Sequence, residues 1–321
     1  MHFRTNMFIT TIANKTFSSY IYNASGINNQ ILSQLKKIAD SGAGAITLKS
    51  TSTIKWEGNP NPRYIVKSKL IPGCTFNSMG IPNEGIDATI EFSRELKNYT
   101  TKPIIASIFS LGGLQDYYDM LDKLESNKDS FDICEINVSC PNIPGKPLLA
   151  YDMEYLEKLL QNLSKYTFLI GLKLPPYFDM THFDKVSELA LQYGIKFISC
   201  SNTIGNCLVI DPDKESAVIK PKMGLGGLAG DFVKPLALGN VWNFWQRLQG
   251  KVQIIGVGGV RTGRDAFEFL LAGADAVQVG TSFAQEGIGI FDKINAEFDE
   301  IMAEHGYAEI ASAKGKLKMI E

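Results

Sequence analysis

The stretch Phe131-Asp132-Ile133-Cys134-Glu135-Ile136-Asn137-Val138-Ser139-Cys140-Pro141-Asn142-Ile143-Pro144-Gly145-Lys146-Pro147 runs from a buried-looking segment into a turn that sets two amides around one thiol. Pro141 fixes the backbone immediately after that thiol. At the end of a strand, such a turn holds a base or nucleophile between hydrogen-bonding groups. Taken alone, Cys140 reads more readily as the small hydrophobe that a non-disulfide cysteine usually is. The segments on either side reverse that balance.

Outward from this stretch the same unit repeats. Short apolar runs at 20–24, 45–49, 103–107, 132–138, 168–174, 196–201, 252–257 and 275–279 alternate with amphipathic patterns at 30–38, 88–96, 114–124, 153–163, 183–191, 233–248, 264–271 and 290–302. In the latter, apolar residues recur at spacings of three and four, so one face can lie against a barrel wall. Eight strands, nearly all separated by helices, predict an α/β fold: a single-domain (β/α)8 barrel of the TIM type spanning 1–321, with long active-site loops. Those loops run over about 50–85 and 205–230, both after strand C-terminal ends, where barrel enzymes build their sites. No internal repeat, low-complexity tract or linker interrupts the pattern.

Composition narrows the function classes. The 321 residues are 45% hydrophobic and 21% charged, enough for a large core, and the net charge of -2 comes without a basic block, so no nucleic-acid partner is expected. No apolar run approaches membrane-spanning length and the N-terminus lacks a secretory apolar core. No Asp or Glu precedes Asp40, as in transit peptides, but the first strand already begins at Tyr20; a cytoplasmic protein with no membrane partner is expected. Cys74, Cys134, Cys140, Cys200 and Cys207 are odd in number and irregular in spacing, which fits a reducing compartment. With no CxxC pair, and His2, His182 and His305 far apart, no metal is expected.

Reading just past each strand gives a coherent set. Strand one ends in Asn23-Ala24-Ser25-Gly26, strand two in Lys49-Ser50, strand four in Asn137 to Asn142, and strand five carries Lys173. Strand six ends in Ser201-Asn202-Thr203, strand seven in Gly256-Val257-Gly258-Gly259, and strand eight in Gly280-Thr281. Small residues admit a ligand to the backbone, and lysines inside apolar strands are costly unless paired with charge. Singly, Lys49 and Lys173 also fit snorkelling side chains, and Asn202 a turn former. The run Gly256 to Gly263, with Asp275 downstream, resembles a weak dinucleotide fingerprint, but it follows the seventh strand of a series rather than opening a mononucleotide-binding half. In a barrel the same glycines suit a phosphate. A phosphate site, two lysines and several amides around one cavity suggest FMN. Gly226-Gly227, Gly258-Gly259 and Gly280-Thr281 would hold its phosphate end, and Lys173 would face its ring.

These segments together resemble the class 1A dihydroorotate dehydrogenases over nearly the whole chain. The similarity rests on Lys49-Ser50, Glu57-Gly58-Asn59-Pro60-Asn61-Pro62-Arg63-Tyr64, Asn77-Ser78-Met79-Gly80-Ile81-Pro82-Asn83, Asn137 to Pro147, Asn202-Thr203-Ile204-Gly205-Asn206, Ile219-Lys220-Pro221-Lys222 and Gly256 to Gly259. The resemblance implies a TIM barrel with FMN that oxidises dihydroorotate to orotate in pyrimidine (UMP) biosynthesis, reduces fumarate to succinate, and forms a cytosolic homodimer. It implies Cys140 as the base, where the membrane-linked class typically has serine, with Lys49 and Lys173 as the other catalytic groups. Ala24, Ser25, Gly26, Lys49, Ser50, Asn137, Lys173 and Ser201 would contact the cofactor beside the glycine segments above. Lys49, Asn77, Ser78, Met79, Gly80, Ile81, Asn137, Asn142, Asn202 and Thr203 would bind substrate. Side-chain amides suit a ring of alternating carbonyls and N–H groups, since they donate and accept at once. Ser201 departs from the family, which more often has an apolar residue there, and Thr203 stands where serine is frequent. Two alternatives stay open at this point: a 1B-type subunit passing electrons to NAD through a partner, and a flavin-binding module without turnover.

Overall fold

The computed structural model describes residues 8–140 and 148–320. Its eight barrel strands are β1 (Ile21–Asn23), β2 (Ile46–Thr47), β3 (Ile104–Ile108), β4 (Ile133–Asn137), β5 (Leu169–Lys173), β6 (Phe197–Cys200), β7 (Gln253–Val257) and β8 (Ala276–Val279). Hydrogen bonding runs in the order β1-β8-β7-β6-β5-β4-β3-β2, every ladder parallel. The helices are α1 (Leu32–Ala39), α2 (Ile86–Tyr99), α3 (Leu114–Glu125), α4 (Met153–Leu160), α5 (Met180–Gln192), α6 (Lys234–Leu248), α7 (Gly263–Leu271), α8 (Thr281–Glu286) and α9 (Ile290–Glu304). Every strand and helix expected from the periodicity is present within a few residues.

Closure between β1 and β2 is made largely by a side chain. Gly44 N–H donates to Ile21 O at 2.8 Å, and above it the Asn23 amide takes the place of a strand. Asn23 Nδ2 donates to Thr47 O at 2.7 Å and Asn23 Oδ1 accepts from Thr47 N–H at 3.0 Å. A carboxamide can do this because, like a peptide group, it both donates and accepts.

The two ends of the barrel differ. At the N-terminal end, Thr10–Ile12 pairs with Lys15–Phe17 in a hairpin absent from the sequence reading. Ala13 and Asn14 supply the two positive φ values, 47° and 61°, that a tight two-residue turn needs. The same end carries ion-paired carboxylates: Asp132 with Lys97 at 2.6 Å and Asp275 with Lys314 at 2.7 Å, each carboxylate also accepting a strand N–H.

At the C-terminal end, the long loops after β2 and β6 are folded. Their strands Tyr64–Val66, Cys74–Asn77, Ile204–Leu208 and Leu225–Gly230 form one antiparallel sheet, with Cys74–Asn77 lying between Tyr64–Val66 and Leu225–Gly230. Its underside packs a small separate core of Ile71, Cys74, Phe76 and Ile219. Because strand side chains alternate, Cys74 and Phe76 enter that core while Thr75 and Asn77 face the barrel mouth.

Candidate active site

One cleft of about 1150 Å3, counting the space open to solvent, occupies the C-terminal mouth beneath the antiparallel sheet. Its wall contains Ala24, Ser25, Gly26, Lys49, Ser50, Asn77, Met79, Ile81, Asn137, Cys140, Lys173, Ser201, Asn202, Thr203, Gly258, Gly259, Gly280 and Thr281, all expected from sequence. Four expected residues lie elsewhere. Ser78 is buried behind the wall, its carbonyl accepting from Asn59 Nδ2 at 2.8 Å, and Gly80 turns its carbonyl to Trp56 Nε1 at 2.9 Å. Gly226 and Gly227 sit within the antiparallel sheet, where a Cβ on Gly226 would strike Asn77 O, Ile219 and Phe76. The pair therefore makes no phosphate cradle; Ala229 and Gly230, further along the same strand, reach the cleft instead. Asn142 and the segment 141–147 lie outside the described residues.

The amides are tied into one network. Asn137 Nδ2 donates to Ser50 Oγ at 3.2 Å, and its Oδ1 accepts from Ser139 Oγ at 3.0 Å and from Asn202 Nδ2 at 3.4 Å. Asn202 Nδ2 also reaches Ser139 Oγ at 3.0 Å, and its Oδ1 accepts from Thr203 N–H at 2.8 Å. Across the cleft, Asn77 Oδ1 accepts from Met79 N–H at 3.4 Å, and Ile81 is held at a φ of 55° after Gly80. Cys140, half-buried, lies on this wall three residues after β4, near enough to Lys49 for the two to interact electrostatically.

No acidic residue lines the cleft among the described residues, while two lysines do. Burial lowers the Lys49 pKa to about 8, Lys173 pressing the same way and Cys140 opposing. Burial likewise lowers that of Lys173, and Glu135 opposes the shift. Such a site favours an anion.

The wall also fits a flavin nucleotide. Gly258 and Gly259 take φ values of 132° and 73°, and a Cβ on Gly259 would come within 2.6 Å of Lys234 Cβ, so the backbone is bare there. Thr281 opens α8 beside Gly280, its hydroxyl 3.1 Å from that of Thr75. Among the described residues, Ser201 Oγ and Thr203 Oγ1 are buried without a hydrogen-bond partner, so each is available to a ligand of the cleft. Beyond the expected set, the wall includes Tyr64, Thr75 and Gln278. Gln278 was visible in the sequence as a polar residue inside the apolar run of β8, the same signal that marks Glu135 in β4.

Comparison with known proteins agrees with this geometry. The family model described as dihydroorotate dehydrogenase matches residues 7–302. The protein named dihydroorotate dehydrogenase A (fumarate) from Lactococcus lactis subsp. cremoris strain MG1363 is 45% identical over 317 residues, covering 98% of this chain and 100% of that one. The Saccharomyces cerevisiae protein named dihydroorotate dehydrogenase (fumarate) is 41% identical, covering 97% and 98%. The crystal structure of DHODH from Eimeria tenella in complex with ferulenol superposes with a TM-score of 0.81 over 98% of this chain and 90% of that one; at 20% identity this bears on the fold alone, a (β/α)8 barrel. With its barrel, cleft and nearly end-to-end similarity, this chain belongs to the dihydroorotate dehydrogenase family.

Proposed function

We propose that this chain oxidises dihydroorotate to orotate in pyrimidine biosynthesis, using bound FMN and fumarate as the final acceptor. The observation that carries the reading is Cys140 placed in an acid-free cleft with two lysines and the Asn77, Asn137 and Asn202 amides. The names of relatives more than 40% identical over nearly their full length support the substrate and the acceptor.

Bound FMN would supply a hydride acceptor for C6 of dihydroorotate and a hydride donor for fumarate. The protein's part is acid–base and electrostatic. Cys140 Sγ, as thiolate, takes the C5 proton of dihydroorotate, and the C5–C6 double bond of orotate forms from the electrons left behind. After orotate leaves, the Cys140 thiol gives a proton to one carbon of fumarate while hydride arrives at the other, yielding succinate and restoring the thiolate. Lys49 and Asn77, with the Met79 and Ile81 backbone, hold the carboxylate; Asn137, Asn202 and Thr203 hold the ring, as does Asn142 by family resemblance. Lys173 and Ser201 would lie against the ring of a bound flavin, Lys173 supplying positive charge there, and Gly258-Gly259 and Gly280-Thr281 would hold its phosphate.

Three further readings belong to the proposal. The chain works as one domain. It forms a homodimer, for which exposed Leu208 on the antiparallel sheet, with Ile210 and Met223 on the segment joining its strands Ile204–Leu208 and Leu225–Gly230, provides apolar surface. It resides in the cytoplasm; among the described residues no helix is long and apolar enough to cross a membrane.

Anaerobic mixing tests the function. Dihydroorotate should bleach the flavin absorbance of the purified protein, and fumarate should restore it. Recovery only with NAD in the presence of a partner would establish the 1B-type reading, recovery with quinone alone would overturn the fumarate assignment, and absence of bleaching would leave a binding module.

A further inference from the structure

Below the cleft, the barrel interior holds a carboxylate that the reaction does not use. Glu135 on β4 is fully buried, two residues before Asn137 and so on the same inward face. Its Oε2 accepts from Ser199 Oγ of β6 at 2.7 Å and from Gln278 Nε2 of β8 at 2.9 Å. The same Gln278 turns its Oε1 to Lys173 Nζ at 3.4 Å. The orientation of that amide is dictated by chemistry: an ammonium only donates, so the amide oxygen faces Lys173 and its NH2 faces the carboxylate. Lys173 and Glu135 are thus a buried ion pair bridged by one amide.

A buried carboxylate is expensive, and among the described residues Glu135 Oε1 has no hydrogen-bond partner. An apolar side chain of similar volume would pack the barrel at lower cost, so the charge itself needs a reason. The groups facing Lys173 supply one. From β1 comes Tyr22, kept neutral by burial and by Glu135; from the end of β2 comes Lys49, a second cation; Cys140 lies beyond it. Cys134, next to Glu135 on β4, points the other way into the apolar core, where burial and Glu135 push its thiol up. Ser199 and Gln278 are neutral. Among the described residues, Glu135 is the anion that opposes the desolvation of Lys173.

We propose that Glu135 is a positioning residue that acts through the Gln278 amide to hold Lys173 protonated and aimed at the flavin site before negative charge builds there. This rests on the FMN reading above. With Glu135 present, Lys173 carries its proton in both oxidation states of the bound flavin. Without that charge, a desolvated Lys173 gives up its proton in the oxidised protein and takes one from solvent along with the electrons. The absolute midpoint potential mixes two opposing effects, the loss of the Glu135 anion and the weakened Lys173 cation. The slope of potential against pH isolates the proton.

The test is a redox titration of the flavin bound to the purified holoprotein from about pH 6 to about pH 9. Glu135→Gln removes the charge in nearly the same shape; Gln278→Met leaves every charge in place and breaks the bridge. Both should steepen the slope over part of that range by one extra proton per two electrons. A purely structural role would lower the melting temperature of the variants without altering the slope, and wild-type slopes in both would overturn the proposal. Should Glu135→Gln fail to hold flavin, Gln278→Met decides on the same criterion. Wild-type protein that binds no FMN would instead overturn the function proposed above.

Discussion

At the residue scale, the chemistry concentrates on two groups of opposite titration behaviour. Cys140 must be a thiolate to accept the C5 proton, so kcat should climb toward alkaline pH until the thiolate forms. Cys140→Ala should retain flavin and lose turnover by roughly 10²- to 10⁴-fold, the usual worth of a positioned base; unchanged turnover would reject the assignment. Lys49 runs the other way. Its pKa is lowered to about 8, so it is a cation below that value and neutral above it. The KM for dihydroorotate should therefore rise as pH passes about 8, and Lys49→Met, which has no charge to lose, should show a high KM at neutral pH with no further rise. A wild-type KM that stays level through pH 9 would show that Lys49 does not hold the substrate anion.

At the element scale, the site depends on a barrel whose seam is closed chiefly by the Asn23 side chain. β2 is only two residues long, and the Asn23 amide satisfies both the N–H and the carbonyl of Thr47. Asn29 Nδ2 shares that carbonyl at 2.7 Å, so Asn23→Ala orphans chiefly the Thr47 N–H. The expected loss is about 1 to 3 kcal/mol, the penalty for a buried group left unsatisfied, read as a lower urea midpoint with an unchanged slope. A midpoint equal to wild type would mean that Asn23 does not close the seam. The same reasoning explains why the antiparallel sheet matters: it sets Thr75 and Asn77 by strand alternation, so a one-residue slip would send them into the small core.

At the scale of the whole molecule, charge is partitioned. Carboxylates at the N-terminal end are ion-paired, the C-terminal cleft has none, and one carboxylate on the outer layer is badly placed. Among the described residues neither oxygen of Asp299 on α9 finds a hydrogen-bond partner, and burial raises its pKa to about 6. A carboxyl whose folded pKa exceeds its unfolded value binds more protons when folded, so stability falls as pH rises from about 4 to about 6 and the cost is complete at pH 7. Asp299→Asn should stabilise the protein at pH 7 by on the order of 1 kcal/mol after solvent screening, read as a higher melting temperature, and bring no gain near pH 4. An equal shift at both pH values would assign the effect to packing instead of charge.

The alternation of apolar runs with 3.6-residue patterns determined the eight strands and eight of the helices, because burial against a barrel wall imposes those periods locally. Reading past each strand end located Cys140, Lys49, Lys173 and the amides for the same reason: parallel strands all deliver their C-terminal residues to one rim. Pairings between distant segments were not legible. The hairpin of Thr10–Ile12 with Lys15–Phe17 and the folding of two long loops into one antiparallel sheet depend on partners chosen in space, and only that sheet removed Gly226 and Gly227 from the cleft and brought Gly230 in. The Glu135–Gln278–Lys173 bridge joins three strands separated by up to 143 residues. Sequence could mark each as a polar residue in an apolar strand; only closure of the barrel put the carboxylate under the lysine.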